Sequence, residues 1–336
     1  MRSATRPIKP AGLQPHFAFA HSCRVSNKGV SAMRLDDFDP DIRVEDQRGQ
    51  SFGGGGGGGG GGGLLLGLLP MIGSRFGCGG IVVVLIIFAL FGGLGNLGGL
   101  FTGGTSTAPT RTERTAGGTG AQAACSVDAE TRATCNAFSS AENTWEQLFA
   151  RSGAQFQAPK LVFFSGRGQS GCGAAMSAMG PFYCPSDQGI YIDTSFFDEL
   201  ANRFRAAGDF AQYYVVAHEF GHHIQTLTGQ SDQVRRAQAR ASEAEGNALS
   251  VRLELQADCY AGVWAAQNRN RLEPGDIEEG MTAAAAIGDD KLQREAQGRV
   301  QPESFTHGTS AQRQAWLRRG LESGDPAVCD TFSGPI

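Results

Sequence analysis

The chain has 336 residues and a formal net charge of −4. No basic stripe and no aromatic-interleaved Lys/Arg cluster accompanies that near-neutral balance, which excludes nucleic acid as an expected partner. Glycine is abundant, with 49 residues, and eight cysteines are present.

Residues 1–32 carry Arg2, Arg6, Lys9, Arg24 and Lys28 and no acidic residue, whereas Met33 opens the acidic run Arg34-Leu35-Asp36-Asp37-Phe38-Asp39. The first 32 residues contain no apolar run of the length a cleaved signal peptide needs, so they read as a disordered extension, with translation expected to start at Met33. Residues 33–63 read as a cytosolic acidic segment followed by a tether of eleven glycines, Gly53 to Gly63. A run of glycine cannot hold one backbone conformation against its entropy.

The region 64–101 is apolar, interrupted by Pro70 and Arg75, and no charged residue falls between about Cys78 and Leu100. About 20 such residues in a helix span roughly 30 Å of hydrocarbon. One transmembrane helix over about 78–100 is therefore expected; glycine tracts and a Thr/Gly/Arg-rich linker, 102–124, isolate it from any core it could join. Arg75 on one side and Arg111 and Arg114 on the other leave the positive-inside count uninformative.

Residues 125–336 form the expected folded domain, of α+β class: mostly helical with a small sheet. The pattern predicts a helix near Glu130 to Ser152, a strand over Lys160 to Ser165, a glycine-rich loop through Cys172, and a second strand at Gly189 to Asp193 (GIYID). GIYID is the candidate edge strand for pairing with a substrate backbone, or else an ordinary core strand.

The chemistry begins at His218-Glu219-Phe220-Gly221-His222, an HExxH motif. Residues four apart on a helix share a face, so both histidines can turn a ring nitrogen to one ion. Glu219, rotated by about a quarter-turn, would hold water beside that ion as a base. The surrounding residues predict a helix from about Phe210 to Thr228, with Asp209 as its cap and Gly229 as its stop. His223 lies off the ligand face and reads as structural.

A second helical stretch is expected from about Asp232 to Asn268, with an irregularity at Gly246-Asn247. It carries Glu254-Leu255-Gln256-Ala257-Asp258, 32 residues beyond His222. A catalytic zinc needs three protein ligands and an open position, and Glu254 is the candidate third ligand. Asp258, one turn further on, is placed to accept from a ligating imidazole and fix its tautomer. His307 precedes a helix expected to start near Thr309 or Ser310. From that loop it could donate to an oxyanion.

The strings His218 to Gln225 (HEFGHHIQ), Glu254 to Cys259 (ELQADC), Phe182 to Asp187 (FYCPSD) and His307 to Arg313 (HGTSAQR) resemble the bacterial neutral zinc metallopeptidase family. More distantly, they are similar to the HtpX and CAAX-prenyl-protease type of gluzincin. The resemblance covers about Met33 to the C-terminus and implies a membrane-anchored zincin domain. It also implies Zn2+ held by His218, His222 and Glu254, with Glu219 as base and His307 as oxyanion donor.

Six cysteines follow the apolar region, an even number that fits an oxidising compartment. Of the 15 pairings open to six cysteines, those expected are Cys125 with Cys135, Cys172 with Cys184 and Cys259 with Cys329. Reduced thiols are the alternative, with Cys259 a conceivable metal ligand, although its spacing from Glu254 turns it from the ligand face. The N-terminus is thus expected in the cytosol and the peptidase domain outside it, anchored at a bacterial inner membrane.

The expected activity is endopeptidase hydrolysis of a peptide or protein substrate. The competing reading is a membrane-tethered binding or scaffold protein with a structural zinc, a degenerate peptidase. Structural sites are normally closed by four protein ligands, and three ligands beside a glutamate point away from it. Sequence sets neither cleavage preference nor oligomeric state.

Overall fold

The computed structural model describes residues 33–35, 37–50 and 120–336. The poly-glycine tether and the expected span at about 78–100 lie outside the described residues. Among the described residues no helix is long and apolar enough to cross a membrane.

The first described strand corrects an expected boundary. β1 (Val44–Asp46) pairs parallel with β2 (Lys160–Phe163), matching Val44 to Leu161 and Asp46 to Phe163. Met33, Leu35 and Ile42 are buried in the same core as Phe138 and Trp145, and the Asn136 side chain donates to the Leu35 carbonyl. Residues 33–50 therefore belong to the folded domain. They cannot sit across a membrane from residues 125–336, because the hydrogen bonds of β1 would then have to cross it.

Helix α1 (Gly120–Cys125) occupies the end of what reads as linker in the sequence. Helix α2 (Ala129–Ser152) starts where Asp128 and Thr131 cap each other's backbone N–H reciprocally, and ends at Gly153 in the left-handed region, φ 72°. β2 and β6 (Gly189–Ile192) run parallel, and β5 (Phe182–Cys184) closes the sheet antiparallel to β6, giving the order β1-β2-β6-β5. β3 (Arg167–Ser170) and β4 (Gly173–Met176) form a separate hairpin. All four residues of β6 are buried, so GIYI is an interior strand. The sheet edges are β1 and β5, so of the two readings of GIYID the ordinary core strand holds.

The remaining elements are helices: α3 (Ser195–Asn202), α4 (Asp209–Leu227), α5 (Gln230–Gln238), α6 (Glu243–Gln267), α7 (Asp276–Ala286), α8 (Asp289–Gln297) and α9 (Ser310–Ser323). Asp209 is the first residue of α4 and not its cap; Gly208 holds that position. The break between α5 and α6 falls at 239–242 and not at Gly246-Asn247. Ser242 accepts from the Glu245 N–H while Glu245 reaches back to the Ser242 N–H, so a capping box starts α6 there.

Two glycines let the three site-bearing helices cross closely. A Cβ at Gly221 of α4 would lie 3.0 Å from the Ala257 Cα of α6, and one at Gly320 of α9 would lie 1.9 Å from the Cys259 carbonyl oxygen. Trp264 seals the other side of α6: it is fully buried, stacks on Phe210 at 6.1 Å and donates to Ser140 Oγ at 3.1 Å. Burying roughly 200 Å² of indole contributes about 5 kcal/mol at ~25 cal/mol per Å². The three expected disulfides form, Cys125–Cys135, Cys172–Cys184 and Cys259–Cys329. The last removes Cys259 as a metal ligand.

Candidate active site

Helix α4 presents His218 and His222 on one face, and α6 crosses it so that Glu254 meets both. One ring nitrogen of each histidine and a Glu254 oxygen lie within 4.8 Å of one another. His218 Nε2 is 3.2 Å from Glu254 Oε2, and His222 Nε2 is 3.5 Å from Glu254 Oε1. His222 and Glu254 each keep 18% of their side chain exposed, which leaves the cluster open to solvent on that side.

The electrostatics favour positive charge between these groups. Burial penalises a charged imidazole at His218, but Asp258 and Glu254 overcome it and push the pKa to about 9. His222 moves the same way against burial, chiefly through Glu254. Burial also opposes ionisation of Glu254, yet His222 and His218 hold it well below the usual carboxylate range. Two imidazoles and a carboxylate so arranged match the donor set and charge preference of a zinc ion.

Each imidazole is braced from behind. His218 Nδ1 donates to Asp258 Oδ1 at 2.9 Å, which leaves Nε2 facing the cluster. Asp258 is fully buried and also accepts from Tyr214 at 2.6 Å and from Arg313 at 2.9 Å to each oxygen. Burial alone would raise the Asp258 pKa; Arg313 and then His218 reverse that and keep it ionised. His222 Nδ1 lies 2.9 Å from Gln225 Oε1. The Gln225 amide nitrogen is anchored on the Leu253 carbonyl and on Gln256.

Glu219 is buried at 7% exposure beside the cluster. Its pKa is raised by burial, with His222 and His218 opposing. His223 points away from the cluster: Nε2 donates to the Gln157 carbonyl at 2.6 Å, and Nδ1 accepts from the Tyr183 hydroxyl of β5 at 3.1 Å. His307 is held by Asp289, whose Oδ1 is 3.2 Å from its Nδ1. The other Asp289 oxygen accepts the backbone N–H groups of Thr306, His307 and Gly308, which shapes the loop. Burial opposes charge on His307 as well, and Asp289 followed by Glu254 raises its pKa.

Sequence reasoning gave no role to Tyr214, Gln225, Arg313 or Asp289. Gln225 was within reach of a local argument, since it lies one turn beyond His222 on α4. Asp289 and Arg313 stand in α8 and α9, and only the tertiary fold relates them to the histidines.

Two histidines and a glutamate carried to one point form a donor set of the kind that catalytic zinc uses. The chain belongs to the family described as putative neutral zinc metallopeptidase, which matches residues 33–332. It is 56% identical over 197 residues to uncharacterized protein YpfJ of Escherichia coli strain K12, covering 58% of this chain and 69% of that protein. It is 45% identical over 228 residues to uncharacterized protein Rv2575 of Mycobacterium tuberculosis strain H37Rv, covering 64% and 74%. No solved structure matches the chain.

Proposed function

We propose that the protein is a zinc-dependent endopeptidase. The observation that carries this reading is the meeting of His218, His222 and Glu254 within 4.8 Å, with the Glu219 carboxylate buried alongside. His218, His222 and Glu254 would hold the metal. When bound, zinc supplies Lewis acidity and brings the pKa of a water from near 16 towards roughly 7.

Glu219 takes the proton of the attacking water and delivers it to the leaving amine. Burial raises its pKa above the usual carboxylate range, the direction that makes a carboxylate a better proton acceptor. Asp289 accepts from His307 Nδ1 and raises its pKa, favouring the imidazolium, whose Nε2–H can donate to the developing oxyanion. Asp258, with Arg313 behind it, and Gln225 hold the two imidazole planes. β5, at the sheet edge and tied to α4 through Tyr183 and His223, offers its backbone to an extended peptide.

The apolar stretch 64–101 would attach this domain to a membrane, with both flanks on one side. Three disulfides in the folded part support an extracytoplasmic side, because such bonds persist in oxidising compartments. Labelling of cysteines introduced at Arg48 and Arg111 in intact cells tests this topology: opposite accessibility at the two positions would overturn it.

Hydrolysis of a peptide library by the full chain should be abolished by a chelator and restored by zinc. Glu219→Gln should bind zinc normally and lose nearly all turnover. Full activity in that variant would remove Glu219 as the base, and zinc content unaffected by His218→Ala would remove the ligand set.

A further inference from the structure

Away from the histidine cluster, three carboxylates gather where two helices begin. Asp209 opens α4, and Asp276 and Glu279 lie in the first turn of α7. One oxygen from each falls within 4.8 Å of the other two. The position is built in: a Cβ on Gly208, φ 128°, would stand 2.1 Å from the Glu279 carboxylate, so only glycine leaves room for it.

Acidic groups at helix N-termini are often mere caps, and part of this cluster does cap. Glu279 Oε2 accepts from the Phe210 N–H at 3.2 Å, and Asp276 Oδ2 from the Glu273 N–H at 2.6 Å. Capping leaves two oxygens unexplained. Asp276 is 1% exposed, yet its Oδ1 is buried with no hydrogen-bond partner among the described residues, and Asp209 Oδ2 is in the same condition. An unpaired buried carboxylate oxygen is costly. No Lys or Arg among the described residues forms an ion pair with the three; the nearby Glu273 has its own, Arg34, at 3.1 Å. Burial raises the pKa of all three, and the neighbouring carboxylates add to it at Asp276 and Glu279.

We infer that Asp209, Asp276 and Glu279 form a second metal site, for a hard divalent cation, distinct from the His218/His222/Glu254 cluster. The donors are all oxygen, with no imidazole or thiolate, which selects against zinc and for calcium or magnesium. Calcium is favoured because it accepts irregular carboxylate sets, whereas magnesium demands near-octahedral geometry. A cation here clamps the start of α4, nine residues before His218, to the start of α7. The site stabilises the helix that carries the histidines and takes no part in chemistry.

Calorimetric titration of calcium into the full chain, loaded with one equivalent of zinc, tests the assignment, together with thermal unfolding at about 5 mM calcium, above the range of weak extracellular sites. One calcium should bind per chain and raise Tm by about 5 °C. Asp276→Asn and Glu279→Gln should each abolish both effects, and agreement between the two guards against a folding defect in either. The inference is overturned if the wild type shows neither heat nor a Tm shift, as it would if the carboxyls simply share protons. It is overturned equally if both variants retain the shift. A larger shift with magnesium than with calcium would overturn the calcium assignment.

Discussion

Arg313 grips both carboxylate oxygens of Asp258, Nε to Oδ2 and Nη2 to Oδ1, each at 2.9 Å, and neither side chain is more than 1% exposed. A planar guanidinium can hold a carboxylate at two points where an ammonium cannot. The pair fixes the orientation of Asp258, and Asp258 fixes His218 through Nδ1. Asp258→Asn should therefore weaken zinc binding by about 10- to 100-fold. It should also lower stability by about 3 kcal/mol, because Arg313 stays buried without its counter-charge. Arg313→Lys should weaken zinc in the same direction while keeping the charge. Competition against a chromophoric chelator reads the affinity; wild-type zinc affinity in Asp258→Asn would show that the aspartate serves folding alone.

The Asp289–His307 pair predicts a different signature. Asp289 holds both the imidazole and three successive backbone N–H groups of the loop, so the histidine is rigid before substrate arrives. A donor that acts mainly in the transition state should be missed in kcat more than in KM. His307→Ala is expected to lose about 100-fold in kcat, with KM changed by less than about threefold and zinc content intact. An equal rise in KM with kcat unchanged would reassign His307 to ground-state binding.

His223 gives a pH prediction whose sign follows from its burial. The imidazole is fully buried, and desolvation lowers its pKa from 6.5 to about 4, against the opposing Gln157 carbonyl. A histidine kept neutral by the fold contributes stability that is whole above pH 6.5 and is lost as pH falls towards 4. The full loss is about 3 kcal/mol. In urea titrations the stability gap between wild type and His223→Gln should be widest near neutral pH and shrink steadily between those two values. A gap that does not change with pH would mean that folding leaves the His223 pKa where the unfolded chain has it.

What the sequence disclosed and what it hid divide along chain distance. His218 and His222 are four apart on one helix, and Glu254 and Asp258 repeat that spacing on another, so their common faces follow from helical geometry alone. That the two faces meet depends on the close crossing at Gly221. The three favoured cysteine pairs form, although six cysteines leave 15 pairings open and sequence does not choose among them. β1 was hidden: Val-Glu-Asp is a poor strand sequence, and only its pairing with Leu161 to Phe163 makes it one. GIYI read as a strand, but its place inside the sheet depends on β5 lying outside it. The break before α6 was written in Ser242-x-x-Glu245, a capping-box signature that outweighs the glycine at 246.

The Cys259–Cys329 bond joins stability to the metal cluster. It closes a loop of sequence separation 70, against 10 for Cys125–Cys135, and in the chain-entropy account that longer loop is worth about 4 kcal/mol against about 3 for the shorter. It also ends a relay: the Cys329 carbonyl accepts from Gln256 Nε2 at 3.0 Å, Gln256 Oε1 accepts from Gln225 at 3.2 Å, and Gln225 braces His222. Replacing both cysteines, Cys259→Ala with Cys329→Ala, should lower Tm by roughly 10 °C and weaken zinc several-fold. Replacing Cys125 and Cys135 in the same way should lower Tm less and leave zinc affinity unchanged, since neither touches that relay. Equal loss of zinc affinity in the two double variants would show that the effect is general loosening and that the Gln256–Gln225 path carries nothing to His222.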